Sequence, residues 1–169
     1  CDVIWFDINY MDEFRVFTIN DRDFPDPKRM NKYLHDNGFH SVYMIDPGVK
    51  VDDNYFVYKT GKEQNAFVCD IYRNEFHGKV WPGACAFPDF TRPETRTWWS
   101  GLYKDFMANG IDGIWNDMNE PSVFDGPGGT MPENNIHLGG GNLPIGSHLM
   151  YHNAYGCLLY TSDAADDLI

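Results

Sequence analysis

The sequence lacks any run of 18 or more apolar residues, so no segment reads as a membrane-spanning helix. It is also poor in basic residues: 13 Lys and Arg stand against 25 Asp and Glu, a formal charge of −12 at pH 7. A nucleic-acid partner would need a basic stripe to neutralise phosphates, so that class is disfavoured, as are anionic membrane surfaces. The four cysteines, at 1, 69, 85 and 157, match no zinc pattern and no compact disulfide framework, and free buried thiols are expected. No Asn-x-Ser/Thr sequon is present. His35 and His40 near a helix end, and His137, His148 and His152 in loops, lack ligand spacing. Asp52-Asp53-Asn54 starts like a calcium loop but lacks the remainder, so a solvated turn is the better reading. No metal and no cofactor are expected. There is no initiator Met and no signal-peptide layout: Cys1 opens inside a strand-like run, as in a chain that has lost its true N-terminus. The missing targeting segment therefore carries no information on compartment, and nothing marks an oligomeric state.

What is present is an ordinary globular composition, with 43% hydrophobic and 16% aromatic residues in 169. Val3 to Ile8 reads as a strand buried on both faces. Asp26-Pro27 supplies an N-cap and a proline at the first helical position, Met30, Tyr33 and Leu34 follow at helical spacing, and Asn37-Gly38 closes that helix. Ser41 to Ile45 is a second buried strand, ended by Asp46-Pro47-Gly48. Residues 49–90 form a long excursion with weak periodicity, of the kind that is usually functional. Thr91-Arg92-Pro93-Glu94 reads as a capping box before a helix that carries Trp99, Leu102, Tyr103 and Phe106 on one face and ends at Asn109-Gly110. Gly113 to Asp117 is the third strand, and Gly139-Gly140-Gly141 reads as a flexible loop. Strand–helix alternation predicts right-handed βαβ units and a parallel α/β sheet. Three strands cannot close a barrel of eight, and the first strand has no Gly-rich dinucleotide turn.

Each of the three strands ends in a carboxylate: Asp7, Asp46 and Asp117. Parallel sheets bind ligands at the carboxyl ends of their strands. Converging acids with Trp5, Trp81 and Trp115 nearby suit a sugar, because carboxylates accept hydrogen bonds from hydroxyls and aromatic faces cover pyranose C–H groups. A strand-end Asp can equally cap the following turn. That reading weighs at least as much for Asp46, and evenly for Asp7. For Asp117 function prevails, because Glu120 shares its tight, proline-ended turn and two such acids repel.

These residues carry a resemblance. Trp115-Asn116-Asp117-Met118-Asn119-Glu120-Pro121-Ser122 resembles the nucleophile signature of glycoside hydrolase family 31, which includes α-glucosidases, glucosidase II, α-xylosidases and α-glucan lyases. Asp7-Ile8-Asn9-Tyr10-Met11, Asp46-Pro47-Gly48, and Val80-Trp81-Pro82-Gly83 followed by Phe87-Pro88-Asp89-Phe90 resemble three further blocks of that family in order. The resemblance covers residues 1–156. It implies roughly the second to fourth strands of a (β/α)8 TIM barrel, truncated at both ends. It implies that Asp117 is the catalytic nucleophile of a retaining, exo-acting α-glucosidase acting on maltose- or starch-like glucans or glucosylated glycans. Asp7 would bind hydroxyls of the cleaved glucose, Ile8, Met44, Trp81, Trp115 and Met118 would line its pocket, and Glu120 would orient the site. The acid/base Asp of the family lies on a later strand, so the chain by itself is expected to be inactive. Asn9 departs from the family's usual second Asp. The alternatives are another family enzyme, such as an α-xylosidase or α-glucan lyase, and a non-enzymatic carbohydrate-binding relative; an intact Asp117 and Glu120 weigh against the latter.

At Gly156 the resemblance stops. Residues 157–169 look like a translated sequencing-library adaptor, a string to be excluded from fold reasoning as fusion scars are. Without Asp163, Asp166 and Asp167 the charge falls from −12 to −9. An incomplete barrel leaves bare strand edges and faces, so poor solubility or a molten state is expected.

Overall fold

The computed structural model describes residues 1–163. Its centre is a three-stranded parallel sheet of β1 (Val3–Phe6), β2 (His40–Ile45) and β6 (Gly113–Asn116), with β2 in the middle. Between β1 and β2 runs helix α1 (Pro27–Asp36). Between β2 and β6 lie β3 (Val49–Lys50), α2 (Phe56–Glu63), β4 (His77–Val80), β5 (Gly83–Ala86) and α3 (Pro93–Met107). The two-residue strands β7 (Ile136–His137) and β8 (Gly146–Ser147) pair antiparallel before helix α4 (His148–Asp163).

Helix α1 begins as its sequence requires: the Asp26 carboxylate accepts the Arg29 N–H at 2.9 Å, and Pro27 occupies the first turn. Gly38, at φ +78°, takes the left-handed turn that ends it. Strand β1 stops at Phe6, shorter than Val3 to Ile8. Asp7 accepts the Ile8 N–H at 2.6 Å and starts a single 3-10 turn, Ile8–Tyr10. Nor is β1 buried on both faces: Trp5 is 59% exposed, because β1 flanks the sheet while β2 alone has neighbours on both sides.

The excursion of residues 49–90 is not a structureless loop. It holds α2 and an antiparallel sheet of order β3-β5-β4. Strands of two to four residues are too short to declare a period. The capping box also fails. The first residue outside α3 is Arg92, with no side-chain cap, and the Thr91 hydroxyl instead donates to buried Asp89 at 2.6 Å. Glycines 139–141 form a tight turn rather than a flexible loop: a Cβ on Gly140 would lie 2.7 Å from Pro93 Cδ. Of the four cysteines, all free thiols, only Cys85 is buried.

The core is aromatic. Phe17 meets Trp99, Tyr103 and Phe106 edge-on, and Tyr10 meets Tyr43 in the same way at 4.8 Å. Helix α4 runs through Gly156, where the adaptor-like string was expected to begin. Its stripe Tyr151, Tyr155 and Leu159 is buried, at helical i, i+4 spacing. Residues 164–169 of the adaptor-like tail lie outside the described residues.

Candidate active site

Parallel register brings the predicted acids to one end of the sheet. Phe6 pairs with Tyr43, and Ile45 with Asn116, so Asp7, Asp46 and Asp117 each follow a strand at its carboxyl end. The Asp117 N–H donates to the Ile45 carbonyl at 3.1 Å, so Asp46 and Asp117 leave adjacent strands side by side. Asp7 stands two strand spacings from Asp117, about 10 Å along the hydrogen-bonding direction. Asp7 is exposed and Asp117 half-buried.

The predicted lining residues come from three places. Ile8 follows Asp7 in the 3-10 turn, and Met44 and Trp115 are register partners on β2 and β6. Met44 is buried, whereas Trp115 is half-buried and meets Trp5 edge-on at 6.0 Å. Trp81, half-exposed between β4 and β5, directs its indole N–H at Met118 Sδ, 3.1 Å away. The antiparallel excursion thus lays an aromatic ring over the residue that follows Asp117. Met118 sits at φ +55°, a conformation that non-glycine residues adopt rarely and that clusters at functional sites. Glu120 is exposed, and its carboxylate accepts the Ser122 hydroxyl at 2.5 Å. It therefore faces its own turn rather than the sheet. Cavities of about 550 and 690 Å3 lie away from the strand ends, the first against α3 beside Phe17 and Phe24, the second beside Cys69 and Arg92.

Asp46 has the capping role weighed for it in the sequence. One oxygen caps the turn, accepting the Gly48 N–H at 2.8 Å. The other, Oδ2, is buried and has no hydrogen-bond partner among the described residues. Burial pushes this carboxyl up to about 7, the Gly48 N–H opposes the rise, and the Asp117 charge adds to it.

A second polar array was not legible from spacing. His137 Nδ1 lies 2.8 Å from Asp89 Oδ1, His137 Nε2 lies 3.0 Å from His148 Nδ1, and His148 Nε2 lies 3.1 Å from His152 Nδ1. Asp89, His137 and His148 are fully buried. With the rings neutral, the chain has one consistent orientation in which each Nδ1–H donates toward Asp89. Burial raises the Asp89 pKa, but hydrogen bonds from His137, Thr91 and the Leu138 N–H outweigh it and hold the carboxyl below its usual range. Burial, then the other two rings, pushes His148 down to about 3. This array ties α4 to β7 and to the segment after β5. Farther along α4, a Cβ on Gly156 would lie 3.2 Å from the Asn119 carbonyl, so the helix packs closely on the turn that follows Asp117. No group of three or more His, Cys, Asp and Glu among the described residues is placed to hold a metal ion. No helix among them is long and apolar enough to cross a membrane.

The family model for the glycosyl hydrolases family 31 TIM-barrel domain matches residues 1–166. Alpha-glucosidase 2 of Bacillus thermoamyloliquefaciens is 42% identical over 94% of this chain and 20% of its own length. The family 31 alpha-glucosidase structure from Bacteroides thetaiotaomicron has 52% identity and a TM-score of 0.78 over 96% of this chain and 25% of that one. A structure of the ER glucosidase II complex of catalytic subunit and regulatory binding domain has 40% identity and a TM-score of 0.87 over 96% of this chain and 17% of that one. The chain spans about a fifth of the length of the curated relatives it matches. With this coverage and identity, the chain belongs to glycosyl hydrolase family 31.

Proposed function

We propose that this chain is a segment of a retaining α-glucosidase, roughly the second to fourth strands of a (β/α)8 barrel, with Asp117 as the nucleophile. The observation that carries the reading is the position of Asp117. It directly follows a parallel strand, beside a second acid and next to Met118, which Trp81 meets, within the octapeptide Trp115 to Ser122. Retaining hydrolysis needs two carboxyl groups about 5–5.5 Å apart across the glycosidic bond. Asp117, ionised, would attack the anomeric carbon, the C–O bond to the leaving group would break, and a protonated carboxyl would give its proton to that oxygen. The same carboxyl would then take a proton from the water that releases glucose. Asp7 stands about 10 Å away in strand spacing, too far for the partner role. It suits hydroxyl binding, with Ile8, Met44, Trp81, Trp115 and Met118 around the sugar and Glu120 bracing the turn. Asp46 is too buried to touch substrate. We therefore assign the acid/base to a residue outside residues 1–156 and infer that this chain alone does not turn over maltose.

The test is made in the longer enzyme that carries this segment. Asp117→Ala should cut turnover of an α-glucoside by at least about a thousandfold, with azide restoring activity and yielding a β-glucosyl azide. Wild-type enzyme should release α-glucose first. Retained turnover in Asp117→Ala, or β-glucose as first product, would overturn the reading. A related activity on α-xylosides or a lyase reaction would show in the product of the same assay.

A further inference from the structure

The unpartnered oxygen of Asp46 leads beyond the nucleophile. Burial first, and with it the charge of this carboxyl, raises three phenols: Tyr10 from the 3-10 turn, Tyr55 before α2, and Tyr155 from α4. Each hydroxyl hydrogen is committed elsewhere. Tyr10 donates to the Met44 carbonyl at 2.5 Å, Tyr55 to the Val16 carbonyl, and Tyr155 to the Pro88 carbonyl at 2.9 Å. None is left to stabilise a carboxylate at Asp46. Cys85, from β5, faces the same carboxyl and is itself a buried thiol. Among the described residues no cation forms an ion pair with it. Arg15 lies over the Tyr55 ring and pairs with Asp12, and Lys50, the register partner of Cys85, pairs with Glu13. The remaining neighbour is Asp117, on the adjacent strand. An ionised Asp46 would thus be a buried anion with one N–H donor, next to a second anion. Two such carboxyls resist ionising together, and the more buried, less compensated one keeps the proton.

We infer that Asp46 is a positioning residue that acts through Asp117: it holds the proton of the pair and leaves the charge of the pair on Asp117. This rests on Asp117 being the nucleophile. The inference explains why a strand-end acid without access to substrate stands beside one that must be ionised. Were Asp46 the ionised member, Asp117 would be driven toward its protonated, non-nucleophilic form.

Infrared difference spectroscopy of the longer enzyme, titrated across neutral pH, tests this without relying on a variant that must fold. A protonated-carboxyl band should be present in acid and lost with a midpoint near the value of about 7 that burial and Asp117 set for Asp46. Asp46→Asn, which keeps an oxygen for the Gly48 N–H, should abolish that band. It should leave the acidic limb of the kcat/KM profile in place. Asp117→Asn should move the midpoint of the band down by about half a pH unit or more, since it removes the neighbouring charge. A purely structural buried acid would not respond to that change. Absence of the band, an unmoved midpoint in Asp117→Asn, or an acidic limb that drops by a unit or more in Asp46→Asn would overturn the inference. Turnover of Asp117→Asn separates the two readings. If it is retained, Asp117 is not the nucleophile, while the band still reports whether the pair shares a proton.

Discussion

At the scale of single residues, the site depends on side chains whose value comes from where the backbone leaves them. Trp81 is half-exposed; it gives its indole N–H to Met118 Sδ and meets Phe124 edge-on at 5.4 Å, and its open face is available to a ligand. Trp81→Ala in the longer enzyme should raise KM for an α-glucoside about tenfold, the loss of one aromatic–sugar face, with Tm lowered only slightly. An unchanged KM would place the ring outside the sugar site. Gly126 is a contrasting case. A Cβ there would run into the Thr130 carbonyl oxygen, and that segment is bridged to Ser122 beyond the proposed nucleophile. Gly126→Ala should cost about 1–3 kcal/mol of stability, read from urea unfolding. Asp7, Asp46 and Asp117 were legible as strand-end acids because each follows an apolar run. Which of them is open to solvent was not, because exposure depends on how the chain packs around each: Asp46 is buried, Asp117 half-buried and Asp7 exposed.

At the scale of elements, α4 is held by hydrogen bonds as much as by apolar packing. Removing one member of the Asp89–His137–His148–His152 array leaves a buried charge or a buried ring nitrogen unpaired. His137→Leu should therefore destabilise by about 3–5 kcal/mol, the cost of stranding the Asp89 carboxylate. A loss below about 1 kcal/mol would show that Asp89 is satisfied by Thr91 and Leu138 alone. The pH dependence has two opposing parts. His148 is depressed from about 6.5 to about 3, so its share of stability is present above pH 6.5 and lost as pH falls toward 3. Asp46 is raised from about 3.9 to about 7, so its share is present below pH 4 and lost as pH rises through 7. Each is at most about 5 kcal/mol, and over pH 4–7 the two nearly cancel. Asp46→Asn should remove one side of the balance, so that Tm climbs from pH 4 to 7 more steeply than in the wild type. Parallel Tm profiles would contradict the linkage. The helices α1 and α3 were legible from proline, glycine and apolar spacing. The excursion between β2 and α3 was not, because its strands are held by partners brought from elsewhere in the chain and not by any period of their own.

At the scale of the whole molecule, the described sheet has three parallel strands with half-exposed flanks, and Trp5, Leu149, Met150 and Tyr160 are largely exposed. Isolated chain should purify poorly or melt without cooperativity, and a sharp calorimetric transition of soluble monomer would contradict this. The origin of residues 157–169 is tested separately. We propose that they derive from a sequencing adaptor, although α4 runs on through Leu159 to Asp163 and the family match reaches 166. An adaptor-free long read across codon 157 should leave the present frame after Gly156 and continue into an apolar helix. A read that reproduces residues 157–169 would make the tail native.

By itself the sequence determined the family blocks and the order of the three parallel strands with α1 and α3. Ordered blocks of acids, tryptophans and prolines need only be read along the chain, and local residues decide where α1 starts or a strand must end. The tertiary structure alone decided the electrostatics: which acid is dry, which is wet, and which histidines touch. Burial and hydrogen-bond pairing arise when β2 and β6 align and α4 packs against α3, β7 and β8, and they join residues far apart in the chain, such as Met44 with Trp115 and Asp89 with His137, beyond the reach of any local pattern.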